Sequence, residues 1–432
     1  MNSISNFPYF QGTSFSDLFA QDITDAHYAF LLNYPATASW AAYPNTNHYF
    51  IQDGSSEATK TSFDKICQKE PWKNLAVLGN GLPGIVISPV QAVLRDYWRE
   101  HFGFRDDNLK LFHCSKYLDE LSQSNPLGSS DSSGFDQIIT LFPFDHLKPE
   151  KHAVDPDVHY HLLSKVTLSE LGVQCPAYKS YDLRQTHITD IPLPQEFPYL
   201  IKTSHGLSGE GTYIIRNASD LNYCLEELRK YLEIESVRMI VVSEFIKNAV
   251  QNHCVQFYVN KAGEVTLIGT TGQLVNAEGN YLGGLIHYDD TDMSKFFEMI
   301  AAIAHYAHQQ GYFGVIGFDV LEDRDGGLYA IDANFRVNGS TPLCLQRHTL
   351  LGLNKAVAKY STDYRMDGAL DSVLVRLKPY LDRKDFLILS ALERVKYGKI
   401  YTEIYGIVAG ETLEDMQQIE RDLQHKGLQI LS

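Results

Sequence analysis

The chain has no long hydrophobic segment: none reaches the about 18 apolar residues that a membrane-spanning helix needs, so no membrane association is expected. Its first residues, MNSISNFPYFQG, lack the basic start and the apolar stretch of a secretory signal. Cysteine is scarce, with six residues and no Cys-x-x-Cys pair, which argues against a zinc site or a disulfide framework. We therefore expect a cytoplasmic protein with reduced thiols.

Positive charge is also scarce, because 37 Lys and Arg residues face 53 Asp and Glu residues and leave a net charge of −16. There is no block of about five or six like charges. The basic footprint of a nucleic-acid-binding protein is missing, so nucleic acid is not an expected partner. An acidic protein that binds an anionic ligand needs a local positive site, so a few lysines and arginines become informative.

What is present is enough for a large core: 432 residues, 44% of them hydrophobic, which suits about two or three domains. Residues 1–70 show no clear period. Residues 75–78 and 85–87 predict short buried strands, residues 90–102 predict a helix, and residues 138–142 predict another strand. Gly79 and Gly81, which lie between the first two of these strands, are interpreted as a structural turn rather than a dinucleotide signal. Residues 122–134 are typical of a linker.

Beyond residue 155 the pattern alternates more regularly. We predict a helix over 158–171 that ends at Gly172, and a second helix over 220–233 capped by Ser219. Residues 292–310 predict an amphipathic helix, and residues 272–288 a loop. Strands are predicted at 198–202, 212–215, 239–246, 253–260 and 264–271, and the part after 366 alternates strand and helix.

The most informative stretch runs from 314 to 342. An apolar run closes at Asp319, the turn residues 323–327 favour a hairpin, and the return strand delivers Asp332 and Asn334. Because residues i and i+2 leave the same face of a strand, the oxygens of these three side chains can converge. Hard oxygen ligands of this kind suit Mg²⁺. Arg336 follows at the next position of that face, where a guanidinium suits a phosphoryl group or a carboxylate.

A glycine-rich loop at 204–211 lies between two predicted strands and has no Gly-Lys-Ser/Thr, so it is not a P-loop. Its backbone N–H groups can close on phosphate oxygens, as a flap. Lys202 stands at its entry and Lys165 lies upstream. Each element also has a simpler explanation. The acidic hairpin could be solvated and bind no metal, the glycine-rich loop could be an ordinary flexible hairpin tip, and the two lysines could lie on the surface.

Taken in order, these elements resemble an ATP-grasp ligase across about 160–345. That family carries an acid on one strand, an acid-x-Asn on the next and often a following arginine, matched here by Asp319, Asp332, Asn334 and Arg336. The second acid is usually Glu, so Asp332 is a shorter variant. The resemblance implies an α/β protein with an ATP-grasp fold, in which two α+β lobes clasp ATP.

The resemblance also implies roles for the remaining candidates. Lys165 and Lys202 would contact phosphates, Ser204, Ser208 and Gly209 would belong to the flap, and 244–246 would hold adenine through Glu244, Phe245 and Ile246. Asn252 and His253 are loose candidates for the ribose, although His253 is more simply a half-buried histidine. ATP and Mg²⁺ would be the cofactors, with Mn²⁺ as a substitute. Ser340 and Thr341 could receive a substrate carboxylate or form an ordinary turn.

The layout around the core predicts three parts: an N-terminal pre-ATP-grasp α/β domain (1–150), the ATP-grasp core (151–365, with a flap lobe at about 175–245 and a metal lobe at about 246–365) and a small C-terminal α/β domain (366–432). This layout is similar to that of pheganomycin-type peptide ligases. It implies ADP-forming activation of a carboxylate as an acyl phosphate and its joining to an amine, with Arg336 and Lys202 as catalytic residues. Amino acids or short peptides would be the substrates, and a homodimer is left open.

Two alternatives remain at this point. One is an ATP-grasp ligase that uses a nucleophile other than an amine. The other is a regulatory protein that binds ATP on the same fold without catalysis, against which the complete acidic set and Arg336 argue.

Overall fold

The computed structural model describes residues 7–24, 27–34, 68–86, 88–111, 134–144, 147–206, 209, 211–233, 239–276, 281–290 and 292–431. The strands are β1 (Tyr28–Leu31), β2 (Gly84–Val86), β3 (Leu109–Leu111), β4 (Gln137–Thr140), β5 (Tyr178–Asp182), β6 (Tyr199–Thr203), β7 (Thr212–Ile215), β8 (Met239–Glu244), β9 (Ala249–Val259), β10 (Val265–Val275), β11 (Tyr281–His287), β12 (Gly314–Asp323), β13 (Leu328–Asn334), β14 (Val357–Asp367), β15 (Phe386–Lys396), β16 (Lys399–Gly410) and β17 (Leu428–Ile430).

The α-helices are α1 (Phe15–Phe19), α2 (Glu70–Ala76), α3 (Ala92–Phe102), α4 (Pro156–Leu162), α5 (Ala218–Glu233), α6 (Phe297–Gln309), α7 (Thr341–Leu345), α8 (Arg347–Leu351), α9 (Leu370–Asp382) and α10 (Leu413–His425). None of the helices in the described ranges is both long and apolar enough to cross a membrane.

The strands form three sheets. A parallel sheet has the order β3-β2-β1-β4, and an antiparallel sheet has the order β5-β8-β6-β7. The largest sheet has nine strands in the order β13-β12-β9-β10-β11-β14-β16-β15, with β17 paired to β14. The chain therefore builds a small α/β unit, then an antiparallel lobe, then one long sheet. At the edge of this sheet lies the hairpin of β12 and β13, which carries the predicted metal ligands and which we call the metal hairpin.

Two separate hydrophobic cores follow from this arrangement. The larger core joins the parallel sheet to the nine-stranded sheet, so the N-terminal unit packs firmly against the rest of the chain. The smaller core lies inside the antiparallel sheet and α5, and includes Ile201, Ile215, Leu228 and Ile240. We call the unit formed by β5–β8 and α5 the flap lobe.

The N-terminal predictions are partly confirmed. The helix at 90–102 appears as α3, the strand at 85–87 as β2 and the strand at 138–142 as β4. The predicted strand at 75–78 is wrong, because its apolar residues close the helix α2, which begins at Glu70-Pro71. A four-residue apolar run fits a buried helix end as well as a strand. Most of the predicted linker, 122–133, lies outside the described residues.

The central predictions hold in outline. The helix at 158–171 is instead two helices: α4, and a 3₁₀ helix (Lys165–Leu171) that Ser164 caps, with Gly172 in a left-handed conformation after it (φ 68°). Helix α5 is capped by Asn217 rather than Ser219, since Asn217 Oδ1 accepts from the N–H groups of Ser219 at 2.8 Å and Asp220 at 3.1 Å. Residues 272–288 are mostly the hairpin of β10 and β11, not a loop.

The C-terminal part is continuous with the core sheet. The predicted boundary between 365 and 366 falls inside β14, and β14 pairs with β11 on one side and with β16 on the other. Helix α2 packs on β15, and Lys69 forms an ion pair with Glu403 at 2.6 Å. Elements from the N-terminal and C-terminal parts of the chain thus meet beside the nine-stranded sheet.

Candidate functional site

The metal hairpin forms for local reasons. In its turn, Asp323 Oδ1 accepts from the N–H groups of Asp325 at 2.9 Å and Gly327 at 2.7 Å, and Gly326 has a positive φ of 81°. This turn fixes the register in which Asp319 lies directly opposite Asp332. Directly opposed residues on adjacent strands project to one face, so the two carboxylates face the same space.

The two carboxylates repel each other. Burial, and then the charge of Asp332, raises the pKa of Asp319 to about 6, although the side chains of Gln273 and Cys254 hydrogen-bond to it. Cys254 pairs with Asp319 across β9 and β12, and burial raises the pKa of its thiol well above the ordinary value, so it remains a neutral donor. A divalent cation between the carboxylates would relieve this repulsion.

The donor set therefore fits Mg²⁺. Asp319 and Asp332 offer carboxylate oxygens, and Asn334 offers an amide oxygen on the same strand as Asp332. Asn334 Oδ1 accepts one hydrogen bond from Arg336 at 2.6 Å, which leaves its second lone pair for a ligand. Hard oxygens in this number, completed by water and phosphate, are the environment that Mg²⁺ prefers.

Two lysines from different elements reach strand β13. Lys165 Nζ lies 3.8 Å from Asp332 Oδ2, and Lys202 Nζ donates to the carbonyl of Ile331 at 3.1 Å. Burial lowers the pKa of Lys202 to about 8. The backbone N–H of Lys165 donates to the carbonyl of Ser204 at 2.7 Å, which ties this lysine to the base of the glycine-rich loop.

Arg336 lies just beyond β13 rather than on its face, because the strand ends at Asn334. Its side chain nevertheless turns back: it donates to Asn334 Oδ1 at 2.6 Å and to the carbonyl of Val337 at 3.1 Å, and its guanidinium lies 5.2 Å from the ring centre of Phe142. Gly317 permits this fold-back, because a Cβ there would lie 2.2 Å from Nδ2 of Asn338, which bonds the Arg336 carbonyl.

These residues line one cleft of about 220 Å³. Of the residues expected from the sequence, the cleft is lined by Lys165, Lys202, Gly209, Asn252, Asp319, Asp332, Asn334, Arg336 and Ser340. Gly206 joins Gly209 from the glycine-rich loop. The cleft therefore combines opposed carboxylates with four cationic side chains, those of Lys73, Lys165, Lys202 and Arg336.

Other candidates lie elsewhere. Glu244, Phe245 and Ile246 line a second, open groove on the flap lobe, separated from the cleft by a small cavity that Lys165, Lys202 and Ser243 line. Ser204 is at the loop base, and Ser208 lies outside the described residues. Thr341 is fully buried: it donates to Gln256 at 2.6 Å and accepts from the N–H of Asn338 at 2.8 Å, so the structure does not offer it to a substrate.

Comparison with known proteins agrees with this geometry. Residues 176–334 match the family model described as L-aspartate--L-methionine ligase, ATP grasp. Solved structures with similar folds cover nearly the whole chain. The chain has the ATP-grasp fold.

The similar structures are distant in sequence. N5-carboxyaminoimidazole synthetase from Staphylococcus aureus, complexed with ADP, has a TM-score of 0.52 at 15% identity, over 98% of this chain and 100% of that one. The N5-carboxyaminoimidazole ribonucleotide synthetase from Thermus thermophilus has a TM-score of 0.51 at 14% identity, over 84% and 97%. Biotin carboxylase from Campylobacter jejuni has a TM-score of 0.51 at 12% identity, over 94% and 92%.

Within this ATP-grasp cleft, sequence reasoning missed several residues. Tyr34, Glu70, Lys73 and Tyr281 line it. Asn252, one of the two ribose candidates, also lines the cleft, and its Oδ1 is buried without a hydrogen-bond partner in the described ranges. His253, the other ribose candidate, instead bonds Glu322 at 2.8 Å. Residues 34, 70 and 73 are more than 200 positions from the hairpin, and no local spacing connects them to it.

Proposed function

We propose that this protein is an ATP-dependent, ADP-forming ligase that joins a carboxylate to an amine and makes a peptide or amide bond between amino-acid-like substrates. The observation that carries the proposal is the convergence of Asp319, Asp332 and Asn334 with Lys165, Lys202 and Arg336 in one cleft. The family model that matches the central part of the chain names a ligase of two amino acids, which supports the substrate class.

The nucleotide would lie between the flap lobe and the metal hairpin. Lys165 and Lys202 supply positive charge beside β13, where the phosphates of ATP require it. Backbone N–H groups of Gly206 and Gly209 border the same space. We assign adenine to the end of β8, at 244–246, which the small cavity connects to Lys202.

Asp319, Asp332 and Asn334 would hold Mg²⁺, which supplies positive charge for the phosphates. Mn²⁺ has the same preference for oxygen ligands and would substitute. Ser340 remains a candidate for the substrate carboxylate, although its hydroxyl accepts from Gln256 at 2.9 Å and lies 3.1 Å from Thr271.

The reaction needs two displacements. A carboxylate oxygen attacks the γ-phosphorus, the bond to the bridging oxygen breaks, and ADP leaves with that electron pair. The amine then attacks the acyl carbon, phosphate leaves, and the amine gives up a proton. The first step brings two negatively charged groups together, and the second builds negative charge on the acyl oxygen and the leaving phosphate. The chain must therefore supply positive charge and exclude water.

Arg336 is placed for the first displacement. Its guanidinium lies next to Asn334 and is largely buried, so its charge is little screened by solvent. A planar fork can contact an oxygen of the phosphoryl group and one of the carboxylate together. Closure of the glycine-rich loop would keep water from the acyl phosphate.

We keep the three-part division as a proposal: a pre-ATP-grasp unit over 1–150, the core over 151–365 and a C-terminal unit over 366–432. The parallel sheet supports the first unit. The continuous sheet across 365 makes the third an extension of the core rather than a separately packed body.

The test is a screen of L-amino acids, singly and in pairs, with Mg·ATP, read by ADP release and by product mass. Hydroxylamine added to single amino acids would trap an acyl phosphate as a hydroxamate. We expect ADP release that depends on both substrates and a product heavier than either. Thermal stabilisation by Mg·ATP without ADP release from any carboxylate would contradict the proposal and favour an ATP-binding protein without catalysis.

A further inference from the structure

One part of the cleft wall is a buried ion pair on helix α2. Glu70 and Lys73, three positions apart on this helix, are bonded to each other, and both line the cleft that holds Arg336. Their side chains are 12% and 2% exposed. Charges withdrawn from water this far cost free energy unless they are paired, and apolar residues would often serve stability as well.

Lys73 remains charged in this position. Burial acts to lower the pKa of Lys73, but Glu70 and then Tyr34 outweigh it and raise the pKa above its ordinary value. Arg336 also acts on this lysine and opposes that rise, so the guanidinium is close enough for its charge to be felt. The ion pair and the proposed acyl-phosphate arginine are therefore parts of one site.

Tyrosines surround the pair. Lys73 Nζ lies 5.6 Å from the ring centre of Tyr34, 5.8 Å from that of Tyr360 and 6.0 Å from that of Tyr405. The hydroxyls of Tyr34 and Tyr360 are buried and have no hydrogen-bond partner within the ranges that the structure describes. Of these two residues only Tyr34 lines the cleft, and since nearly all buried hydroxyls in proteins are bonded, its hydroxyl points to a polar ligand. We call Tyr34, Glu70, Lys73 and Tyr281 the tyrosine pocket.

The tyrosine pocket presents the negative charge of Glu70 to the cleft. Glu70 is the more exposed member of the pair and Lys73 lies behind it. A carboxylate flanked by aromatic rings suits an ammonium group, through charge and through the ring faces. Lys165, Lys202 and Arg336 line the same cleft and suit anions. One small molecule that carries both charges would find a partner for each of them in this cleft.

We infer that Glu70 binds the ammonium group of the substrate whose carboxylate is activated beside Arg336, so that this substrate is an amino acid or a short peptide with a free amine. Lys73 is a positioning residue that holds the Glu70 carboxylate in place, and Tyr34 completes the pocket with its hydroxyl. The inference rests on the proposed function, because it names the donor substrate of the same ligase.

The experiment measures activation of the donor, the substrate whose carboxylate is phosphorylated, in the absence of the second substrate. Full-length protein is assayed with Mg·ATP and hydroxylamine, using each L-amino acid and the matched carboxylic acid that lacks the amino group. We expect wild type to prefer the amino acid. Glu70→Gln should lower kcat/KM for that amino acid about 10- to 100-fold, mainly through KM, and leave the amino-free acid nearly unchanged. Lys73→Met should show the same KM effect in weaker form.

Stability is controlled separately, because Glu70→Gln leaves Lys73 buried without its partner. The double variant Glu70→Gln/Lys73→Met removes both charges and should show the same loss of preference. A matched control is Lys355→Met/Asp385→Asn, which removes a buried ion pair away from the cleft and should retain the wild-type preference. Thermal stabilisation by Mg·ATP, kept in all variants, would show that the nucleotide site is intact.

Three results would overturn the inference. Wild type could use amino-free acids as well as amino acids, or Glu70→Gln could keep the wild-type preference. Glu70→Gln could also form hydroxamate normally while losing peptide formation, which would place Glu70 on the attacking amine. Absence of ADP release with every carboxylic acid would overturn the proposed function as well, whereas a ligase that activates only amino-free acids overturns this inference alone.

Discussion

The two walls of the cleft are built in different ways. One wall is the metal hairpin, where a short stretch of chain with a tight turn places Asp319, Asp332 and Asn334 together. The other wall is the tyrosine pocket, assembled from residue 34 just after β1, from α2 and from the start of β11, which are distant in sequence. The first wall is fixed by local register, and the second depends on how the N-terminal unit packs on the long sheet.

This difference separates chemistry from selectivity. A wall that is fixed locally can hold ions and phosphates in the same way for any substrate, whereas a wall made by long-range packing can change with few effects on the phosphates. Variants of the metal hairpin should therefore damage the reaction with every substrate. Variants of the tyrosine pocket should change which substrate is used.

The largest effect is expected for Asp332→Ala. The change removes one of two opposed carboxylates and the partner of Lys165 at 3.8 Å, so ADP formation should fall about 1000-fold or more with every substrate pair. ADP release is the measurement, with the far-ultraviolet circular dichroism spectrum as the control for folding. Turnover within about tenfold of wild type would show that Asp332 does not bind the metal. The metal ligands would then not be positioned by the hairpin alone.

Arg336→Met should come next. The side chain contributes charge mainly when the acyl phosphate forms, so ATP affinity should change little while ligation falls about 100- to 10000-fold. Calorimetry of ATP binding and ADP release with substrate measure the two quantities on one variant.

The matched comparison is Arg336→Lys, which should restore little, because an ammonium cannot span two oxyanions as a guanidinium does. If ATP affinity and turnover fell together, Arg336 would be a nucleotide ligand, and its proposed role at the acyl phosphate would be wrong.

Lys202→Ala should reduce the rise in melting temperature that Mg·ATP produces. Lys202 is buried next to Ile331, and its loss should weaken ATP binding about tenfold, which removes about 1.4 kcal/mol of ligand stabilisation. The control is Lys230→Ala, whose side chain is 67% exposed on α5. An unchanged shift would place the phosphates away from β6.

The smallest effect concerns stability without ligand. Because the pKa of Asp319 is raised to about 6 in the folded state, its folding contribution is favourable when protonated and is lost as pH rises through 6. Asp319→Asn should therefore be more stable than wild type at pH 7, by about 1–2 kcal/mol since the group is half-buried, with little difference near pH 4.

Denaturant unfolding at the two pH values measures this difference, and Asp323→Asn in the turn provides a comparison outside the opposed pair. A variant less stable than wild type at pH 7 would mean that the two carboxylates are not in conflict before metal binds.

Much of the metal hairpin could be predicted from sequence, because its turn residues and the i, i+2 spacing of its side chains lie within about 20 consecutive residues. The ATP-grasp fold was predicted and is confirmed. The strand predicted at 75–78 was a helix end, and that error hid Glu70 and Lys73, whose position in the cleft depends on α2 packing against β15. The burial of Thr341 could not be predicted from local sequence either, since its partner Gln256 lies on the distant strand β9.

The separate small core of the flap lobe has a thermodynamic consequence. Because its apolar side chains do not join the main core, β5–β8 and α5 can open as one cooperative unit at a lower free energy than global unfolding requires. Amide hydrogens in β6 and β8 should then exchange through this partial opening. A ligand held between the lobe and β13 would add its binding free energy to the opening, so the exchange rate there would report occupancy of the cleft.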